Sequence, residues 1–256
     1  APLVSVLEAL DHLELRAGGR QLCARLVIGA DGRDSIVRET AGIGVVDRDH
    51  GQSAIVCRFG HARPHRNVST ELHRKGGPFT MVPLPGRQSS LVWVDAVAAS
   101  EQRLRLTDAE FVAAMATPAE PWLGAIGEVS ARHAYPIRAR LARAMTAPRR
   151  ALVGEAAHVM SPLGAQGLNL SLRDVAALAD RLAGHGGDPG DESLLAAYAA
   201  GRRRDVLARF WGIDTLNRLV MASLPPFARA SSLALGLLGR LPPARRLLMQ
   251  NLLQEA

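Results

Sequence analysis

Apolar and polar residues alternate in two short runs, 3–7 and 12–16, and a third apolar run extends from Leu22 to Ile28. Gly18-Gly19 follows the second run, and a Gly-Gly pair between such runs predicts a hairpin. The third run ends as LVIGADG, a strand that stops at Gly29, Asp31 and Gly32; Ser35 to Thr40 then reads as a helix start. This pattern predicts a βα junction. Residues 45–145 change character: IVCRF, VSTELHR, FTMVPLP and SSLVWVDA read as strands separated by Gly, Pro and polar clusters. Within that block TDAEFVAAMATP has helical spacing, with Thr107 and Glu110 forming a capping-box pattern. Pro118 is expected to end this helix. From 149 the strand–turn–helix pattern returns: RRALVG as a buried strand, EAAHVMSPLGAQG as a loop, and LNLSLRDVAALADRLAG as a helix closing at Gly184. Residues 192–220 read as a long helix, and Pro225-Pro226 and Pro242-Pro243 open two more.

These patterns predict an α/β fold: one domain in two parts, 1–44 and 146–190, an antiparallel or mixed-sheet domain at 45–145 inserted between them, and a helical segment at 191–256. At about 150 residues per domain, this length accommodates one or two domains. Hydrophobic content of 48% and charged content of 21% exclude disorder and collagen-like repetition. No stretch reaches the roughly 18 consecutive apolar residues of a membrane-spanning helix. The start has neither the basic region nor the apolar core of a signal peptide, and it reads as mid-domain. Cys23 and Cys57 have no partners at metal-ligand spacing, so a reducing, cytoplasmic compartment fits. The net charge of +7 is carried by arginine, with Lys75 the only lysine. At 4% aromatics, with the arginines scattered, a nucleic-acid partner is the weakest reading.

Two constellations carry chemistry. The first is Gly29-Ala30-Asp31-Gly32, continuing to Ser35 and Arg38, where small residues and an acid let a backbone approach a phosphate or ribose closely. A tight βα turn with a capping Asp is the competing reading. The second is Gly154-Glu155-Ala156-Ala157-His158, then Pro162, Gly164, Gln166-Gly167 and Asn169, between a strand and a long helix. Small residues leave space beside the strand end, and the helix N-terminus offers unpaired N–H groups suited to an anion. A Gly-rich helix start without a ligand is the alternative there.

LVIGADGRDSIVR resembles the DG motif, and ALVGEAAHVMSPLGAQGLNLSLRDVAALA the GD motif, of the FAD-dependent aromatic hydroxylases. FTMVPLPGRQSSLVWV, AYPIRARLARAM, YAAGRRRDVLARFWGIDTLNRLV and the tail LGLLGRLPPARRLLM are most similar to the ubiquinone-biosynthesis hydroxylases within that superfamily. The resemblance implies a glutathione-reductase-type, Rossmann-like FAD domain. It places Asp31 and Gly32 near the FAD pyrophosphate and the NAD(P)H route, with Arg38 supporting that turn. Gly154 would leave room at the strand end and Glu155 would bond ribityl or ribose hydroxyls. Pro162 and the backbone of Gly164, Gln166, Gly167 and Asn169 would face the isoalloxazine ring. The implied reaction hydroxylates an aromatic or quinone-precursor small molecule using NAD(P)H and O2. No side chain is assigned a catalytic role, because the flavin supplies the chemistry.

Two departures qualify the resemblance. The family's strand and GxGxxG turn for the ADP moiety are not found in these residues, so the FAD domain reads as incomplete and the chain as a fragment. Glu155 stands where the family has Asp, adding a methylene. A flavin-dependent halogenase, an isoprenoid reductase, and a non-catalytic remnant or half of a split flavoprotein remain as alternatives. Trp93 lacks the partner Trp of the halogenase pattern. His158 is open to a packed or a ligand-touching role, and Trp93 to core packing or a pocket wall. His73 and His133 read as solvated or core residues with no second metal ligand at suitable spacing, and Arg202-Arg203-Arg204 as a solvated helix face. Residues 201–256 hold nine arginines against three acids, with apolar runs between them. That pattern fits either a peripheral contact with the inner face of an anionic membrane, or packing on the FAD domain or a homodimer partner.

Overall fold

A computed structural model of the chain describes residues 3–9, 11–74, 76–161 and 166–221. Pro162, Gly164, the two Pro-opened helices and the tail's apolar runs lie outside the described residues. The fold is α/β and comprises two compact units: residues 1–50 with 137–215, and residues 51–136 with the described residues from Leu216.

The first unit opens with an antiparallel meander, β1 (Leu3–Glu8), β2 (Leu13–Ala17) and β3 (Arg20–Ala24). The β2–β3 turn is Gly18-Gly19 at φ 56° and 75°. Both residues lie in the left-handed region, which matches the twist of the flanking strands. β4 (Val27–Gly29) then leads into the short helix α1 (Ile36–Thr40). β11 (Thr146–Ala147), β12 (Arg150–Leu152) and β4 form one sheet, with β12 parallel to β4 and Leu152 opposite Gly29. Two long helices follow, α4 (Gly167–Ala183) and α5 (Glu192–Met221). Leu152, Leu170, Leu178, Tyr198, Val206 and Phe210 belong to the core beneath them.

The second unit is an antiparallel sheet with helices. β5 (Val45–His61) and β10 (His133–Ala142) enter it from the first unit; β6 (Thr70–Arg74), β7 (Gly77–Leu84), β8 (Gln88–Ala96) and β9 (Ile126–Val129) lie within it. Its strands run β5–β8–β7–β6, with β9 beside β5. The register sets Ile55 and Phe79 opposite Trp93, and Cys57 and Met81 opposite Leu91, so one face is a continuous apolar ladder. Strand side chains alternate faces, so these residues share one side. α2 (Val97–Leu104) and α3 (Asp108–Leu123) follow β8, and α3 places Phe111, Met115, Ala119 and Leu123 in the same core. Trp93 is therefore a core residue, 5.1 Å from the Phe79 ring and 4.2 Å beneath the Arg103 guanidinium.

Three local expectations are corrected. Pro118 does not end α3, which continues through Pro118 and Pro121 to Leu123. Each proline removes an N–H donor, yet Phe111, Met115, Pro118, Ala119 and Leu123 all fall on the buried stripe, and that packing outweighs the lost bonds. The segment read as a loop after β12 contains a 3-10 turn, Gly154–Ala156, and a short strand β13 (His158–Val159) that pairs with β10 through Leu141 and Arg140. Arg202 is buried at 7% exposure while Arg203 and Arg204 are exposed, so only part of the triple-arginine run is a solvated face.

Candidate functional site

Both motif turns leave the carboxyl ends of adjacent parallel strands, the edge at which open α/β sheets bind ligands. Gly29 ends β4, where a Cβ would meet Leu152 Cδ2 at 2.8 Å and Val37 at 3.0 Å. Only glycine lets these two strands and α1 approach so closely. The Val153 N–H bonds the Gly29 carbonyl at 3.0 Å, which extends the pairing to the turns themselves.

In the first turn, Asp31 Oδ2 accepts from the N–H groups of Ile36 (2.8 Å) and Val37 (3.2 Å), and Ser35 Oγ accepts from Arg38 N–H at 3.0 Å. Asp31 is thus a cap for α1 from five residues before its start, satisfying donors that a helix start leaves open. Gly32 follows at φ 82°. Arg38, on α1, is 9% exposed and donates to the Arg33 carbonyl (2.9 Å) and to the Ala156 carbonyl (2.9 Å). It ties the first turn to the second across 118 residues of sequence. Arg140 braces the same loop from β10, bonding the Arg33 carbonyl (3.2 Å), Asp34 (2.6 Å) and Asp47 (2.8 Å). The Arg140 hydrogen bond holds the exposed Asp34 carboxyl below its usual range.

In the second turn, Gly154 is buried at φ 60°, a conformation glycine adopts without strain. Its N–H donates to Asp174 Oδ2 at 3.0 Å. Asp174 has no exposed surface, and the same oxygen lies 2.6 Å from His158 Nε2 while Arg202 Nε donates to Oδ1 at 2.8 Å. Nε2 of His158 faces this carboxylate, and its Nδ1 is buried with no partner among the described residues. Arg202 also bonds Asp205 (3.0 Å), Arg209 bonds Asp205 (2.6 Å), and Arg209 donates to the Gln166 side-chain oxygen at 3.0 Å. One chain of charge-assisted bonds therefore holds Gly154 and Gln166, the two ends of the loop that precedes α4. Tyr198 adds a bond to the Leu152 carbonyl at 2.9 Å, and burial raises its phenol well above the ordinary range.

What this scaffold leaves open is equally specific. Glu155 is exposed, with no side-chain partner among the described residues, directly after the buried Gly154. At the N-terminus of α4, Gln166 makes no side-chain cap, a Cβ on Gly167 would meet nothing within 4 Å, and Asn169 is exposed. The arrangement sets a carboxylate acceptor, unpartnered among the described residues, near a helix N-terminus, a combination suited to a ligand bearing both hydroxyls and negative charge. Pro162 and Gly164 fall within the loop outside the described residues. His73 and His133 are exposed, and no group of three metal-capable side chains occurs among the described residues.

Asp174 escaped the sequence reading, although its signal was present: it sits between Leu170 and Leu178 at spacings of four on an apolar stripe. Arg202 likewise interrupts the stripe Tyr198–Val206–Phe210. A charged residue at core periodicity marks a paired buried ion.

Residues 10–209 match the family model described as FAD binding domain. The chain is 42% identical over 236 residues to the ubiquinone hydroxylase UbiL of Rhodospirillum rubrum, covering 91% of this chain and 55% of the relative. It is 34% identical over 229 residues to the 3-demethoxyubiquinol 3-hydroxylase of Escherichia coli, covering 88% and 58%. Its fold is similar to that of p-nitrophenol 4-monooxygenase PnpA from Pseudomonas putida, with a TM-score of 0.80 and 18% identity over 97% of this chain and 65% of that one. The chain thus spans little more than half the length of these curated relatives.

Proposed function

The chain belongs to the FAD binding domain family, and from that premise we propose that it is part of an FAD-dependent monooxygenase hydroxylating an aromatic quinone precursor, with NAD(P)H as reductant and O2 as oxygen source. The observation that carries the reading is the clamped second turn, with the exposed Glu155 carboxylate, unpartnered among the described residues, close to the start of α4. The ubiquinone hydroxylases among its relatives favour the substrate class.

The residues present fit FAD. Glu155 would accept hydrogen bonds from ribityl or ribose hydroxyls. The N–H groups around Gly167 would favour an anionic ring. Asp31 and Gly32 would border the pyrophosphate, with the Asp31 carboxylate holding the turn through α1 rather than touching the cofactor. When bound, FAD supplies the redox chemistry. The protein's part is to hold the site rigid: Arg38, Asp174 and Arg202 fix both turns before any ligand arrives, so little reorganisation is needed on binding. The sheet of residues 51–136 is the proposed substrate domain. A cytoplasmic protein with a peripheral membrane contact, and a homodimer, complete the reading; among the described residues no helix is long and apolar enough to cross a membrane.

The test is isotopic. The chain is joined to a strand–GxGxxG–helix unit of the kind found in FAD-dependent aromatic hydroxylases and supplied with FAD, NAD(P)H, a prenylated phenol and heavy O2. The product is expected to carry one heavy oxygen atom. Oxidation of NAD(P)H with no heavy oxygen incorporated into the phenol would overturn the monooxygenase reading.

A further inference from the structure

A cavity of about 410 Å³ opens in the first unit between residues 141–146 and α5. Ala196, Ala199, Ala200, Arg203 and Leu207 line it at helical spacings of three and four, so a single face of α5 forms one wall. Leu141, Ala142, Ala144 and Met145 form part of the other. None of the flavin-site residues lines it. The small alanine side chains keep the space open: a larger residue at any of these positions would fill it.

Its charge is one-sided. Arg143 and Arg203 are the only charged residues among the described lining, both are exposed, and neither side chain has a partner among the described residues. Ligand sites of roughly 300–1,000 Å³ are mostly apolar with a few placed polar groups, and this cavity has that character at the small end of the range. Two guanidinium groups beside an apolar space favour an anion at its mouth, because guanidinium matches carboxylate geometry bidentately.

We propose that this cavity binds a single-chain amphiphile with an anionic head, a long-chain carboxylate, its chain against the α5 alanines and its head on Arg143 and Arg203. The volume suits one chain rather than the two of a phospholipid. The chain's own tail is a poor occupant by charge: residues 222–256 carry Arg229, Arg240, Arg245 and Arg246 against Glu255 alone.

The experiment is calorimetric titration of the full chain with dodecanoate, dodecanol and dodecyltrimethylammonium, each below its micelle concentration. Dodecanoate is expected to bind at one site, with dodecanol about tenfold weaker or more. Ala200→Trp should weaken dodecanoate by at least about tenfold by filling the space. Arg143→Glu with Arg203→Glu, at exposed positions that leave the core untouched, should reverse the preference toward the cationic amphiphile. Equal affinity for all three amphiphiles, no dodecanoate binding, or dodecanoate affinity unchanged in both variants would overturn the proposal.

Discussion

Asp174 is a carboxylate without solvent contact that accepts from a backbone N–H, an imidazole and a guanidinium. Its replacement leaves all three donors buried and unmet. Breaking a buried pair of this kind costs about 3–5 kcal/mol, so Asp174→Ala should lower the thermal unfolding midpoint sharply, while Arg203→Ala on the exposed neighbouring face should leave it nearly unchanged. Equal, small effects of the two substitutions would contradict the clamp. Asp205, lower in the same network, is pulled two ways: burial raises its pKa, and hydrogen bonds from Arg209 and Arg202 lower it, with the arginines prevailing. A depressed folded pKa means that ionised Asp205 stabilises the fold above its unfolded value, about 4, and that this contribution disappears as pH falls through the lower folded value. Asp205→Asn should therefore flatten the acid limb of a helical circular-dichroism titration. An acid limb identical to that of the parent would show that the two arginines do not act through this carboxylate. The motif residues were legible in the sequence because turns need glycine and caps need oxygen. The clamp was not, because Asp174, Arg202 and Gly154 meet only through packing of α4 and α5.

Helix α3 shows the same division at the scale of an element. Its start was legible: Thr107 and Glu110 exchange the reciprocal bonds of a capping box, with Glu110 N–H on Thr107 Oγ1 at 3.3 Å and Thr107 N–H on Glu110 Oε2 at 2.8 Å. Thr107→Ala should cost about 1 kcal/mol, read as a lowered midpoint of denaturant unfolding; no change would mean the cap is idle. Its end was not legible, since a local rule stops helices at proline whereas Phe111, Met115 and Leu123 hold this one against the ladder of Trp93 and Leu91. The hairpin at Gly18-Gly19 and the strands of the inserted sheet were readable from alternation and turn chemistry. β13 and the 3-10 turn were not, because a two-residue strand has no periodicity to read.

Across the whole molecule, the α/β class and the order of the two motif turns followed from sequence, while the pairing of β4 with β12 that sets the turns side by side required the structure. Each unit carries one cysteine. Cys23 is exposed, and Cys57 is buried in the second unit, where burial pushes its thiol up to about 11. A thiol reagent at neutral pH should modify Cys23 promptly and Cys57 only as the second unit unfolds, making Cys57 a reporter of that unit. Simultaneous modification of both in native protein would contradict the packing of the ladder.

Glu155, presented by a turn already locked through Gly154, Asp174 and Arg38, is the proposed hydroxyl acceptor of the flavin site. The most direct measurement is FAD affinity, by quenching of flavin fluorescence, in the chain joined to a GxGxxG unit. Glu155→Asp should hold FAD at least as well as the parent, whereas Glu155→Ala should weaken it by about 1–3 kcal/mol. FAD affinity unchanged in Glu155→Ala would remove the carboxylate from the site.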